Sequence, residues 1–160
     1  MAADTIYGNT GVFKRLFVDT YPIDVETLTY SNPFRRTPNL VADCTADVIV
    51  SCVRQGTVVT INVNKITMTT SVGATFPGEQ YLVFTDTIPA IYRPTNDTYV
   101  YVNVSTTGSP NTLNFGQLGP VARVTSAGRI EIGNRNSTDY GFNDGEKTYI
   151  VDSFTISYVV

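Results

Sequence analysis

The sequence contains no histidine and no tryptophan, and charged residues make up only 16% of its 160 positions. Without imidazole, the serine, cysteine and zinc machineries that rely on it are excluded. Neither phosphate-cradling pattern, G-x-x-x-x-G-K-[ST] or G-x-G-x-x-G, occurs. The formal charge is −3 and the basic doublets are confined to Lys14-Arg15 and Arg35-Arg36, so no stripe of cations exists to neutralise a nucleic-acid backbone. No apolar run approaches the roughly 20 residues that span a bilayer. The opening "MAADTIYGNTGVFK" has an acid where a secretion signal carries bases, and it lacks an apolar core. Synthesis in the cytosol is the expectation, and the sequons at Asn96, Asn103 and Asn136 are then chance occurrences.

Cysteine is also scarce, with Cys44 and Cys52 the whole complement. If "TADVIVS" between them is one extended strand, their Cα atoms lie about 26 Å apart at ~3.3 Å per residue. A disulfide tolerates less than about 7 Å, so no bridge is expected unless the chain reverses near Ala46. Shared parity points both to one face, where a free thiol behaves as a small hydrophobe. No histidine is present to activate either of them.

What the chain does have is alternation. A length of 160 residues suits a single domain with one sizeable core. Apolar residues reach 42%, and with so little charge the surface must be covered by Thr, Ser, Asn and Tyr. Such side chains sit well on pleated sheets and cost less to desolvate than ions when another protein surface approaches. In "TVVTINV", residues 57 to 63, Val59, Ile61 and Val63 share one face against Thr60 and Asn62. "DVIVSCV", 47 to 53, precedes it, and Gly56 supplies the positive φ of a hairpin between them. Further strands are predicted over 80–85, 98–105, 120–125, 129–133 and 148–160. "TSAG", 125 to 128, reads as a second hairpin turn, with Ile130 and Ile132 inward and Arg129 and Glu131 outward. Pro and Gly fall between these runs. The pattern predicts an all-β fold, a single antiparallel β-sandwich of jelly-roll type. Residues 46–160 form the sandwich, and residues 1–45 supply a strand, alternating at Val25, Thr27 and Thr29, or an extended arm packed on it. A short helix over residues 13 to 18 is the alternative there. The face shared by Phe154, Ile156, Tyr158 and Val160 belongs inside the sheet or against a neighbour.

Candidate chemistry is thin. Asp24 and Glu26 project from one face of a strand, but neighbouring acids on an edge are more often solvated than catalytic. Residues 133 to 147 gather Asn134, Asn136, Asp139, Asn143, Asp144 and Glu146 without the EF-hand spacing, which favours a polar loop over a Ca²⁺ site. No enzyme activity, catalytic residue, metal or cofactor is expected. Tyr92, Tyr99, Tyr101 and Tyr140 are the candidate ligand or interface residues: they are either stacking platforms for a carbohydrate or aromatic surface in a subunit contact.

"IPAIYRP", then a Val-alternating strand, a hairpin built round "SAGRIEIG" and a closing "FTISY" together resemble the C-terminal head domains of phage tail fibres and receptor-binding proteins. The resemblance covers roughly residues 88 to 158. It implies a viral β-sandwich that trimerises; only Tyr92, Arg93 and Pro94 match a motif, and the role the match implies for them is structural. Such heads usually follow a shaft and none is expected here, so the chain looks more like a small jelly-roll minor capsid or cement protein of large icosahedral viruses. The expectation is a non-enzymatic virion protein, made in the host cytoplasm. It would act as a homo-oligomer, threefold by preference, and through contacts with other virion proteins. The alternative is a lectin-like receptor-binding head recognising host glycans.

Overall fold

The computed structural model describes residues 15–18, 21–35, 40–72, 81–107, 119–134 and 147–160. Strands β1 (Arg15–Val18), β2 (Tyr21–Tyr30), β4 (Val48–Gln55), β5 (Val58–Val63) and β13 (Phe154–Val159) form a five-stranded antiparallel sheet in the order β1-β2-β4-β5-β13. A second sheet has the order β7-β11-β10-β8, from Tyr81–Thr87, Arg129–Asn134, Pro120–Val124 and Thr98–Tyr101. The third is β3-β6-β12-β9, from Leu40–Cys44, Ile66–Val72, Lys147–Val151 and Val104–Thr107. The fold is all-β and sandwich-like, with its strands shared among three sheets. A single apolar cluster unites them: Val50, Ile61 and Ile156 from the first, Phe84, Val124 and Ile132 from the second, and Met68, Tyr149 and Val151 from the third.

Three chain segments bend from the third sheet into the first or back. β3 leads into β4 through Thr45–Asp47, β5 into β6 through Asn64-Lys65, and β12 into β13 through Asp152-Ser153. Strands that switch sheets at bends make the corners of such packings. Hydrogen bonds carry the ladder round: Thr45 N donates to Thr67 O at 2.9 Å, Asn64 N to Ile49 O at 3.0 Å and Asp152 N to Asn103 O at 3.0 Å. The Asn64 carboxamide stands in for a missing strand partner, its Oδ1 accepting from Ile49 N at 2.8 Å. The inward face also slips by one residue at two of these corners: Val63 is followed inward by Ile66, and Val151 by Phe154. The passage of the chain from sheet to sheet corrects two sequence expectations. The runs 98–105 and 148–160 are each two strands, parted at Val102-Asn103 and Asp152-Ser153, because hydrogen bonding passes to a different sheet there.

Cys44 and Cys52 likewise lie in different sheets, since the chain turns at Thr45–Asp47, and both are free thiols. The first described strand occupies 15–18, where a helix was the alternative, and β2 pairs along eight residues with β4. Val25, Thr27 and Thr29 face outward from β2, while Leu28 and Tyr30 pack against the core.

The two expected hairpins are present. Gly56, with φ +60°, opens the two-residue turn joining Gln55 to Val58. Such a turn requires positive φ at its first position when its twist is to match the strands. Gly128 closes the second turn at φ +85°. Its missing side chain makes room for Arg93: a Cβ there would lie 2.6 Å from Arg93 Nε. Arg93 cannot simply move aside, because Nε donates to Ile88 O at 3.0 Å and an Nη to Thr87 Oγ1 at 3.0 Å. Ile88 N in turn donates to Gly128 O at 2.9 Å. The "YRP" element is thus a clasp between its proline loop and the neighbouring turn. Gly128→Ala is expected to lower stability by about 1–3 kcal/mol through backbone strain and this overlap. A urea midpoint unchanged from the parent's would contradict the clasp.

Candidate functional site

Alternation places every second side chain of the five-stranded sheet on its outer face, and cross-strand register gathers them into rows. One row is Val25, Val53, Thr60 and Ser157, and the next is Thr27, Ser51, Asn62 and Thr155. Ile23, Gln55, Val58 and Val159 form the third. No ionisable side chain stands in any of them. Within the rows, Thr60 and Ser157 hydroxyls meet at 3.0 Å, and Thr155 Oγ1 donates to Asn62 Oδ1 at 2.7 Å. The acids Asp24 and Glu26 belong to the opposite face of β2, as does Arg54 on β4, which donates to Gly56 O and Ile91 O.

The same face carries unusual apolar exposure. Val25 is 46% exposed, Ile49 42%, Val58 48% and Val159 65%. At the corner end lies a shallow groove of about 380 Å³ bordered by Ile49, Asn62, Asn64 and Thr155. It lies where β5 leads into β6 and β12 into β13, at the corners between the first and third sheets. At the far end Val58 and Val159 stand as a cross-strand pair.

The tyrosines singled out from sequence part company here. Tyr92 is 2% exposed, its carbonyl accepting from Tyr158 Oη, so its ring offers no face to a ligand. Burial, followed by the charge of Glu26, pushes its phenol up to about 12. Tyr99 and Tyr101 project together from β8, an edge strand, and Tyr101 is 63% exposed. Tyr140 lies outside the described residues. Beside Tyr99, Arg123 sits over the Tyr81 ring at 4.1 Å and donates to Tyr99 Oη at 3.3 Å. Its Nε and an Nη both reach Glu131 Oε2, each at 2.5 Å, and Asp97 lies 3.9 Å away. Glu131 does point away from the core as expected, but at 7% exposure it is not a solvated acid: half-buried Arg123 pairs with it. No sequence signal marked Arg123, whose partners come from three other strands and from the Asp97 loop.

Reactive chemistry finds no footing in the cysteines. Burial, then Glu26, pushes the Cys52 thiol up to about 12, and burial, then Asp43, pushes Cys44 up to about 11. Both therefore stay protonated and poorly nucleophilic at neutral pH. Among the described residues no group of His, Cys, Asp and Glu is placed to hold a metal ion. No helix among them is long and apolar enough to cross a membrane.

Fold and surface together define an all-β, sandwich-like domain with one uncharged sheet face turned to solvent. No family model matches the chain, and no curated protein sequence matches it. Among solved structures it is similar to the reovirus attachment protein sigma1, determined in complex with alpha-2,3-sialyllactose. The match covers 99% of this chain and 81% of that one, at 14% identity and a TM-score of 0.36. The likeness is slight.

Proposed function

We propose that the protein is a non-enzymatic structural component of a virion, of the minor capsid, cement or fibre-head kind, acting through contacts with copies of itself and with other virion proteins. The observation that carries this is the outer face of the five-stranded sheet, with its three uncharged rows and four exposed apolar side chains. Burying such a face removes apolar area from water without stripping ions of their hydration. A threefold ring, closed through surfaces other than this face, is the proposed symmetry of the whole oligomer, and residues 1–45 are proposed as a segment packed on the 46–160 sandwich. Synthesis would take place in the host cytoplasm, with the virion as the final location. Mass spectrometry and immunogold labelling of purified particles test the proposal. The protein should be a stoichiometric particle component, and its exclusion from intact particles would overturn the reading.

A second reading, a lectin-like head recognising host glycans, is favoured by Tyr99 and Tyr101 on an edge strand beside Arg123 and Asp97. An open aromatic ring next to hydrogen-bonding groups is what a sugar face stacks on. Glycan-array binding abolished by Tyr101→Ala is the expected result under that reading. An array showing no binding at all leaves Tyr101 as contact surface only.

A further inference from the structure

We infer that the outer face of the five-stranded sheet pairs with the same face of a second copy of this chain, about a two-fold axis. This pairing presupposes the assembly reading and assigns this face a two-fold contact, separate from the contacts that close the threefold ring. Two properties of the face select a second copy over a different partner, and a third sets the strength of the pairing.

Charge is the first. A chain of net charge −3 repels its own copies, and the rows of this sheet are where two copies meet without bringing ions together. A partner chosen by charge complementarity needs charges to read, and these rows offer none. An identical face is uncharged by construction.

Shape is the second. A groove of about 380 Å³ at Ile49, Asn62 and Thr155 and another of about 390 Å³ at Gln55 and Val58 lie at opposite ends of β5, and Val159, 65% exposed, pairs with Val58 at the second end. From Asn62 to Val58 is four residues, about 13 Å along a strand. A two-fold axis through the rows between them sets each copy's Val159 over the other's groove at Ile49. Isologous contact of this kind satisfies both ends at once and closes at two.

Area is the third. Four strands about 4.8 Å apart, each presenting some seven residues at ~3.3 Å, give a footprint of roughly 440 Å² per copy. Side-chain relief raises the accessible area above that footprint, yet it stays near or below the ~800 Å² per partner of standard stable interfaces. The pair is accordingly reversible and concentration-dependent rather than obligate.

Sedimentation equilibrium of the full chain over a wide concentration range tests the pairing, with three variants beside the parent. Val159→Lys places a charge at the most exposed apolar position of the face. Ser157→Asp places one on β13 in the middle row of the face, and Ser105→Asp places one at an exposed position of β9 in another sheet. Far-UV circular dichroism and melting identify which variants are folded. The expected result is reversible association in the parent and in Ser105→Asp, weakened at least tenfold in whichever of Val159→Lys and Ser157→Asp folds, or in both. Association unchanged by these charges would overturn the two-fold face while leaving assembly through other surfaces intact. A parent that stays monomeric at every concentration would overturn both this pairing and self-association.

Discussion

Removing residues 154–160 is expected to abolish soluble folding. The deleted segment is the whole of β13, hydrogen-bonded along six residues of β5. Phe154, Ile156 and Tyr158 are 8%, 3% and 9% exposed, and Tyr158 Oη ties the strand to the Tyr92 carbonyl under the proline loop. Burying each of the three contributes about 1.5–3 kcal/mol by area, so their joint loss rivals the ~5–15 kcal/mol by which whole domains are stable. The deletion also uncovers β5, leaving the backbone of an apolar strand open to pairing with other chains. Expression yield in the soluble fraction and a near-UV dichroism spectrum check this. A truncated chain that remains dispersed with native tertiary signals would contradict the placement of β13 in the core.

The second large effect is alkaline unfolding. Cys52 and Tyr92 are pushed up to about 12 from ordinary values of 9.0 and 10.0, in both cases chiefly by burial. Tyr158 is also pushed up, by burial and then by Cys52. Each group is held protonated in the folded state. Above the ordinary values the unfolded chain releases these protons and the folded chain does not, so stability falls as pH rises. The contribution is fully present below about pH 9 and is lost progressively up to about pH 12. The loss amounts to roughly 1.4 kcal/mol per group for each pH unit crossed. The melting temperature should therefore drop steeply across this window. A melting temperature level from pH 8 to about pH 11 would show that these side chains are reached by solvent.

The all-β class and both tight hairpins were legible because each rests on local chemistry: strict apolar alternation in 57–63, and glycine where φ must be positive at Gly56 and Gly128. β6 was missed because its inward set, Ile66, Met68 and Thr70, includes a threonine, and the intervening positions are threonine too. Hydropathy hardly separates its two faces, although burial does. The corners were partly written in the sequence. A polar pair followed by a one-residue change of phase, Asn64-Lys65 before Ile66 or Asp152-Ser153 before Phe154, marks where an extended chain leaves one sheet for the next. With the phase change overlooked, residues 148–160 pass for one uninterrupted strand.

The site was less legible than the fold. Tyr99 and Tyr101 were found because their exposure follows from alternation with Val100 and Val102, whereas Tyr92 lies in a loop whose burial depends on Tyr158, distant in sequence. The uncharged face could not be assembled from the chain alone. Its rows join β2, β4, β5 and β13, and Val159 meets Val58 only through the register of strands about a hundred residues apart. The Arg123–Glu131 pair escaped notice for the same reason: alternation gives the side of the sheet but not what covers it.

The most direct measurement is the methyl NMR spectrum of the full chain with a soluble paramagnetic agent, recorded dilute and concentrated. If the outer sheet face is a contact surface, the Val25, Ile49, Val58 and Val159 methyls broaden in dilute solution and become shielded as concentration rises. Ile91, 47% exposed and on no strand of that sheet, should broaden equally in both. Equal broadening of all five at every concentration would contradict the claim that this face is made for contact.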